Sequence, residues 1–269
     1  MDLLDYGSIF AAVSGAAGVF HLASPVIVGP VQDLERELLA PAIEGTKNVL
    51  RAAKESEVRR VVVTSSVSAI TPSRHWPADK VKDENCWTDV DYCKQNGLWY
   101  SVSKTLAEKA AWEFAKEHGL DMVVVIPGTV MGPILPPTFN ASMLMLLLLL
   151  QGCTESYEDV FMGSVHVKDV ALAHILLYEN TSATGRHLCV EAISHYGDFA
   201  AKVAELYPEY KIPSPFFVEK IIDSKHKRNL RLVINILSLK KLNKSFRVKF
   251  EDNSSTAQVP SHLEALPKF

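Results

Sequence analysis

Two short runs of β-branched residues constrain this chain more than anything else in it. Residues 60–66 read RVVVTSS and residues 121–126 read DMVVVI. Neither alternates polar with apolar, so each reads as a strand covered on both faces, the habit of parallel sheets. Between them, residues 98–118 carry Trp99, Leu106, Ala110, Trp112 and Phe114 at roughly helical spacing, and Gly119 supplies a stop. The alternation extends both ways. A strand is expected over 18–23 (GVFHLA) and a helix over 34–55, kinked or divided at Pro41. After a PGTVMGP turn, a helix is expected over 141–151, a strand over 160–166, a helix over 168–178, a strand over 186–190 and a helix over 196–206. Strand–helix repetition of this kind predicts an α/β protein built on a parallel sheet with helices on both faces. Ligands of such sheets bind beyond the carboxyl ends of the strands. Three strands end there in small residues and prolines: HLASP (21–25), TSSVS (64–68) and IPGTV (126–130). The polar stretch 67–97 is long for a loop and is a candidate for function.

Composition excludes several classes. A net charge of −3 gives no global attraction to nucleic acid or to an anionic membrane. The longest greasy run, MLMLLLLL (143–150), falls far short of the ~20 residues of a spanning helix; it reads as a buried helix or one wall of an apolar pocket. Cys86, Cys93, Cys153 and Cys189 form no C-x-x-C and match no zinc spacing. No metal is expected. The N-terminus resembles no secretion signal, so the thiols are expected reduced in a cytoplasmic protein, and the N-x-S sequons carry no weight.

The chemistry-bearing feature is GLWYSVSKTLAE (97–108). Residues at i and i+4 share a helix face, so Tyr100 and Lys104 can address one site. A phenol titrates near 10, too high for proton transfer at neutral pH, and a neighbouring ammonium would lower it. A bare Y-x-x-x-K is a common coincidence. Two features add to it: a serine at the end of the 60–66 strand, and the expected placement of both groups at the carboxyl edge of the sheet.

With a serine, this pattern on such a sheet resembles the extended short-chain dehydrogenase/reductases, and within them the plant cinnamoyl-CoA reductase and dihydroflavonol reductase group. The similar stretches include GVFHLASP (18–25), PAIEGTKNVLRAA (41–53), VRRVVVTSS (58–66), ENCWTDVDYCK (84–94), LWYSVSKTLAEKAAWEFAKEHGLD (98–121), GPILPPTFNASM (132–143), SVHVKDVALAHILLYE (164–179) and LYPEYKIP (206–213). The resemblance implies a partial Rossmann dinucleotide-binding domain over 1–130 and 160–190. A smaller substrate-binding part would take 131–159 and 191–250, and a divergent tail 251–269. It implies NADP(H) as cofactor and an aromatic small-molecule substrate, a CoA thioester among the options. Tyr100 would be the proton donor and Lys104 the ribose-binding cation. Ser66 would be the serine, with Ser65 the fallback. Asp2 and Leu3 would hold the adenine; Leu22, Ala23, Ser24, Pro127, Gly128, Thr129 and Ser142 would line the cofactor. His21 and His166 read as core or loop histidines, and Asp169 as a residue that caps or orients a helix start.

The chain departs from the family at its beginning. No strand is followed by a glycine-rich turn that would cradle the pyrophosphate at a helix N-terminus. SGAAG (14–18) precedes a strand and is a decoy. The N-terminally truncated sheet is therefore expected to bind NADP(H) poorly and to leave the 18–23 strand as an open edge, prone to pairing with another chain. An inactive, non-enzymatic fragment is the alternative to a working reductase. Residues 225–249 hold nine basic and no acidic residues, read as a solvated tail or, alternatively, as a contact for CoA phosphates. For the substrate, LWYSVSK lies nearer the dihydroflavonol- and aldehyde-reducing branches, whereas 132–143 and 185–198 look most like cinnamoyl-CoA reductase-like proteins.

Overall fold

A computed structural model describes residues 1–27, 31–77, 79–135, 139–152, 160–210 and 212. Four strands, β1 (Gly18–His21), β2 (Arg60–Thr64), β3 (Met122–Pro127) and β6 (Gly185–Cys189), form a wholly parallel sheet in the order β1-β2-β3-β6. Side chains in a strand point alternately to opposite faces, and the valine runs divide accordingly. Val61, Val63, Val124 and Ile126 enter one core with residues of α1 (Tyr6–Val13), α2 (Ala40–Glu55) and α4 (Trp99–His118). Val62, Val123 and Val125 enter a second core with Val170, Ala173 and Leu177 of α6 (Val167–Glu179). Both faces are covered, which is why the runs need no polar alternation.

The helices begin and end where their sequences direct. A π-helical turn, Glu35–Leu39, precedes α2, and Pro41 sits in the first turn of the helix proper, where a missing N–H costs nothing. Pro41 thus divides the expected 34–55 helix. α4 stops at Gly119, whose φ of +61° is the left-handed conformation glycine favours. α1 was not foreseen; it is only eight residues long. Its signals are the Asp5 cap, which accepts from the Ser8 amide, and Ile9 and Val13 buried four residues apart. SGAAG lies in the turn between α1 and β1, so it cradles no phosphate. The 67–97 stretch contains a 3-10 turn, Val67–Ala69, and α3 (Val90–Gln95), capped by Asp89.

A second sheet differs from the sequence expectation. β4 (Thr129–Met131) lies within the anticipated PGTVMGP turn, and β5 (Phe161–His166) leaves the main sheet to pair with it and with β7 (Ala192–His195). The expected division placed 160–166 with the dinucleotide-binding part; its strand belongs to the smaller sheet, while α6 and β6 return to the main one. Gly128 makes the departure feasible, because a Cβ there would stand 2.2 Å from the Gly163 carbonyl oxygen. The greasy segment is α5 (Ala141–Leu150), of which only Leu149 is fully buried, in a small cluster with Ala200 and Val203 of α7 (Tyr196–Leu206). No helix among the described residues is long and apolar enough to cross a membrane. β1 is an edge strand of the described sheet, with Phe20 and Leu22 exposed. The basic 225–249 stretch, the 251–269 tail and most of the proposed 191–250 substrate part lie outside the described residues.

Candidate active site

Register aligns the ends of three strands. His21 of β1 pairs with Val63 of β2, and Thr64 with Val125 of β3. The segments 22–24, 64–66 and 127–129 therefore emerge side by side at one edge of the sheet, and the first turn of α4 brings Tyr100 to it. Leu22 and Ala23 are exposed; Ser24, Gly128 and Thr129 are half-buried. Leu3 packs on Gly45, where a Cβ would lie 2.7 Å from its own, and its carbonyl accepts from Asn48 Nδ2 at 3.0 Å. Asp2 folds back on the Leu4 amide. This segment rests on the first half of α2, next to Thr46, whose hydroxyl meets His21 Nε2 at 3.0 Å. Ser142 lies in the first turn of α5, half-buried.

Ser65 and Ser66 point in different directions. The extended backbone at this strand end turns consecutive side chains to opposite faces. Ser65 is buried and donates to the Glu108 carboxylate. Ser66 caps the 3-10 turn, accepting from the Ser68 amide at 3.1 Å, and its hydroxyl lies on the side of the Tyr100 phenol, near enough to oppose the rise of that group's pKa. Ser66 rather than Ser65 thus meets the tyrosine.

Tyr100 departs from the simple expectation of an acidified phenol. Burial raises its pKa, and the Ser66 hydroxyl opposes the rise. Lys104 is turned elsewhere: its Nζ donates to the Thr64 carbonyl at 3.0 Å. Burial pushes this ammonium down to about 8, with Glu108 acting in the opposite sense. The two side chains share a helix face, yet the lysine's charge is engaged with the strand end and with Glu108. His21 is a core histidine, pushed down to about 4 by burial and by the Lys104 charge. His166 caps α6 by accepting from the Lys168 amide, and Asp169 lies in that helix's first turn. Cys86, Cys93 and Cys189 are buried free thiols, all raised by burial; Cys153 lies outside the described residues.

Sequence reasoning missed Glu108 and Arg186. Glu108 is 2% exposed, and it accepts from Ser65, Trp112 Nε1 (3.2 Å) and Arg186 Nε (2.6 Å). Arg186 also donates through Nη1 to the Glu84 and Cys86 carbonyls, each at 2.7 Å, and lies 3.7 Å over the Trp87 ring. One guanidinium therefore fastens the 67–97 stretch to β6 and α4. The only trace in the sequence was Glu108 four residues after Lys104 on the same helix face.

A small cavity beside this edge is lined by His21, Thr46, Thr64, Ser65, Lys104 and Glu108, among others. This lining offers the chemistry that a ribose would call on, an ammonium with hydrogens to spare beside the hydroxyls of Thr46, Thr64 and Ser65. The pyrophosphate end finds no glycine-rich strand-to-helix turn in the sequence. A family model described as the NAD dependent epimerase/dehydratase family matches residues 1–190. The chain belongs to this family. Among curated members, it is 49% identical over 213 residues to cinnamoyl-CoA reductase 1 of Petunia hybrida, covering 79% of this chain and 62% of that protein. The chain spans 62–64% of the length of such reductases from Petunia, Medicago and Arabidopsis. Two solved structures agree in fold. Vestitone reductase from alfalfa matches with a TM-score of 0.66 and 30% identity, covering 91% of this chain and 81% of that one. Gre2 from Candida albicans, solved with NADPH, matches with a TM-score of 0.72 and 26% identity, covering 94% and 78%. The family member described here is thus a short-chain dehydrogenase/reductase of extended type, similar to cinnamoyl-CoA reductases.

Proposed function

We propose that this site reduces the carbonyl or CoA thioester of a phenylpropanoid-type substrate with NADP(H), Tyr100 giving the proton. The convergence of Tyr100, Ser66 and Lys104 on the carboxyl end of β2, where the lysine bonds the Thr64 carbonyl at 3.0 Å, carries the reading. The Tyr100 and Ser66 hydroxyls can both reach one substrate oxygen. Ser66 orients that oxygen, and Tyr100, kept protonated by burial, donates to it as negative charge develops. NADPH supplies the hydride when bound. Lys104 would hold the ribose hydroxyls and Asp2 and Leu3 the adenine. Leu22, Ala23, Ser24, Pro127, Gly128, Thr129 and Ser142 would line the length between. From a ketone or aldehyde the product is the alcohol. From a thioester the product is a hemithioacetal, whose collapse breaks the C–S bond and releases aldehyde and the thiol of CoA. The similarity to cinnamoyl-CoA reductases, and a Candida relative solved with NADPH, support the substrate class and the cofactor.

The test is NADPH oxidation, followed spectrophotometrically with feruloyl-CoA, a dihydroflavonol and phenylacetaldehyde. It is run on this chain and on a fusion that supplies the glycine-rich N-terminal segment of a cinnamoyl-CoA reductase. Turnover by the fusion, abolished by Tyr100→Phe, is expected, together with weaker NADPH binding by the chain alone. A fusion that binds NADPH but oxidises it with none of the three substrates overturns the reading.

A further inference from the structure

The most elaborated polar cluster among the described residues lies behind Tyr100, not at it. Glu108 and Arg186 are both nearly inaccessible, with side chains 1% and 8% exposed. They come from elements far apart in sequence, the middle of α4 and the second residue of β6. A buried ion pair is weak evidence for stability, since removing two charges from water offsets most of their attraction. It is better understood by what it holds in place.

We propose that Glu108, itself clamped by Arg186, is a positioning residue for the reacting edge: its carboxylate holds the Ser65 hydroxyl at the end of β2 and faces Lys104 across the cavity they share. The geometry is specific. Ser65 directly precedes Ser66, so fixing its side chain inward fixes the backbone from which Ser66 turns outward to Tyr100. Lys104 lies one helical turn before Glu108, and its Nζ bonds the carbonyl of Thr64, directly before Ser65. Three consecutive residues of the strand end are thereby tied to one face of α4. Arg186 Nε and Nη2 both engage the carboxylate, at 2.6 and 3.2 Å, which fixes its rotation.

The charged and titratable groups around Lys104 are His21 from β1, Tyr100 and Glu108 from α4, and Arg186 from β6 beyond Glu108. His21, lowered to about 4, is neutral at working pH. Glu108 is the neighbour that sustains the ammonium against burial. Neutralising Glu108 should therefore lower the Lys104 midpoint further below about 8 and leave the lysine largely uncharged near neutrality.

This inference rests on the reading of Ser66, Tyr100 and Lys104 as reacting groups, but its test needs no turnover. Lysine labelled with 13C at Cε is titrated by NMR in the chain as it stands, the Lys104 resonance being assigned from its loss in Lys104→Arg. In Glu108→Gln the midpoint should fall by about one pH unit or more, and Glu108→Asp should retain part of the difference. Where Glu108→Gln fails to fold, as judged by circular dichroism, Glu108→Asp is read in its place, a smaller fall of the midpoint being expected. A midpoint unchanged or raised in the folded variant overturns the proposal. A lowered midpoint in a chain without reductase activity would sustain the positioning role and count against the proposed function alone.

Discussion

Lys104 reaches from the second turn of α4 to the carbonyl oxygen of Thr64, the last residue of β2, at 3.0 Å. The bond crosses from helix to strand and leaves the ammonium nearly inaccessible, at 6% exposure. That burial has a thermodynamic signature.

The folded chain releases the Lys104 proton at about 8, the unfolded chain near 10.5. Between those values the unfolded state binds more protons, so stability rises with pH across the window. Below about pH 8 the cost of burying the charge is present in full, about 3 kcal/mol. Lys104→Met removes it. In urea at pH 7 the variant should be more stable than the unaltered chain by up to that amount, and the difference should shrink towards pH 10.5. Parallel stability-against-pH curves for the two proteins would show that the lysine is solvated.

Tyr100→Phe should lower kcat of the proposed reductase by about 10²–10⁴-fold, with a much smaller effect on NADPH affinity, for which Tyr100 is also a candidate contact. Because burial holds the phenol above its ordinary range, the alkaline limb of the rate profile should come from Lys104, at about pH 8. A limb above pH 10 in the unaltered enzyme would assign it to the tyrosine instead.

The two serines should separate. Ser66→Ala removes a partner that lowers the Tyr100 pKa, so turnover should fall and the Tyr100 titration, read by ultraviolet difference spectra, should move up. It also loses a cap, costing about 1 kcal/mol. Ser65→Ala leaves Glu108 without one of its donors and loosens the strand end that carries Ser66; it should cost about 1–3 kcal/mol in urea stability and lower turnover less than Ser66→Ala does. Equal loss of turnover in both would remove the distinction.

Gly128→Ala should destabilise the chain by about 1–3 kcal/mol, the usual cost of overpacking. The added methyl would collide with the Gly163 carbonyl, a backbone atom that no rotamer change can clear. Denaturation midpoints would measure it, and a neutral result would mean that β3 and β5 separate freely.

Much of this architecture was legible in the residues. The valine runs of β2 and β3 announced strands buried on both faces, and Gly119 announced the end of α4. The spacing of Tyr100 and Lys104 placed them on one helix face, and the likeness to reductases ran along most of the chain. These signals are local: periodicity, turn residues and i, i+4 pairs are read within one element. The tertiary structure decided which serine meets the phenol, because opposite faces of one strand end acquire meaning only when α4 packs against one of them. It decided that β5 joins a second sheet, because that depends on the close approach of Gly128 to Gly163. It also brought Glu108 to Arg186, 78 residues apart, and turned Lys104 from the phenol towards the strand. Contacts across such separations leave no periodic trace, since chain folding, and not residue spacing, brings the partners together.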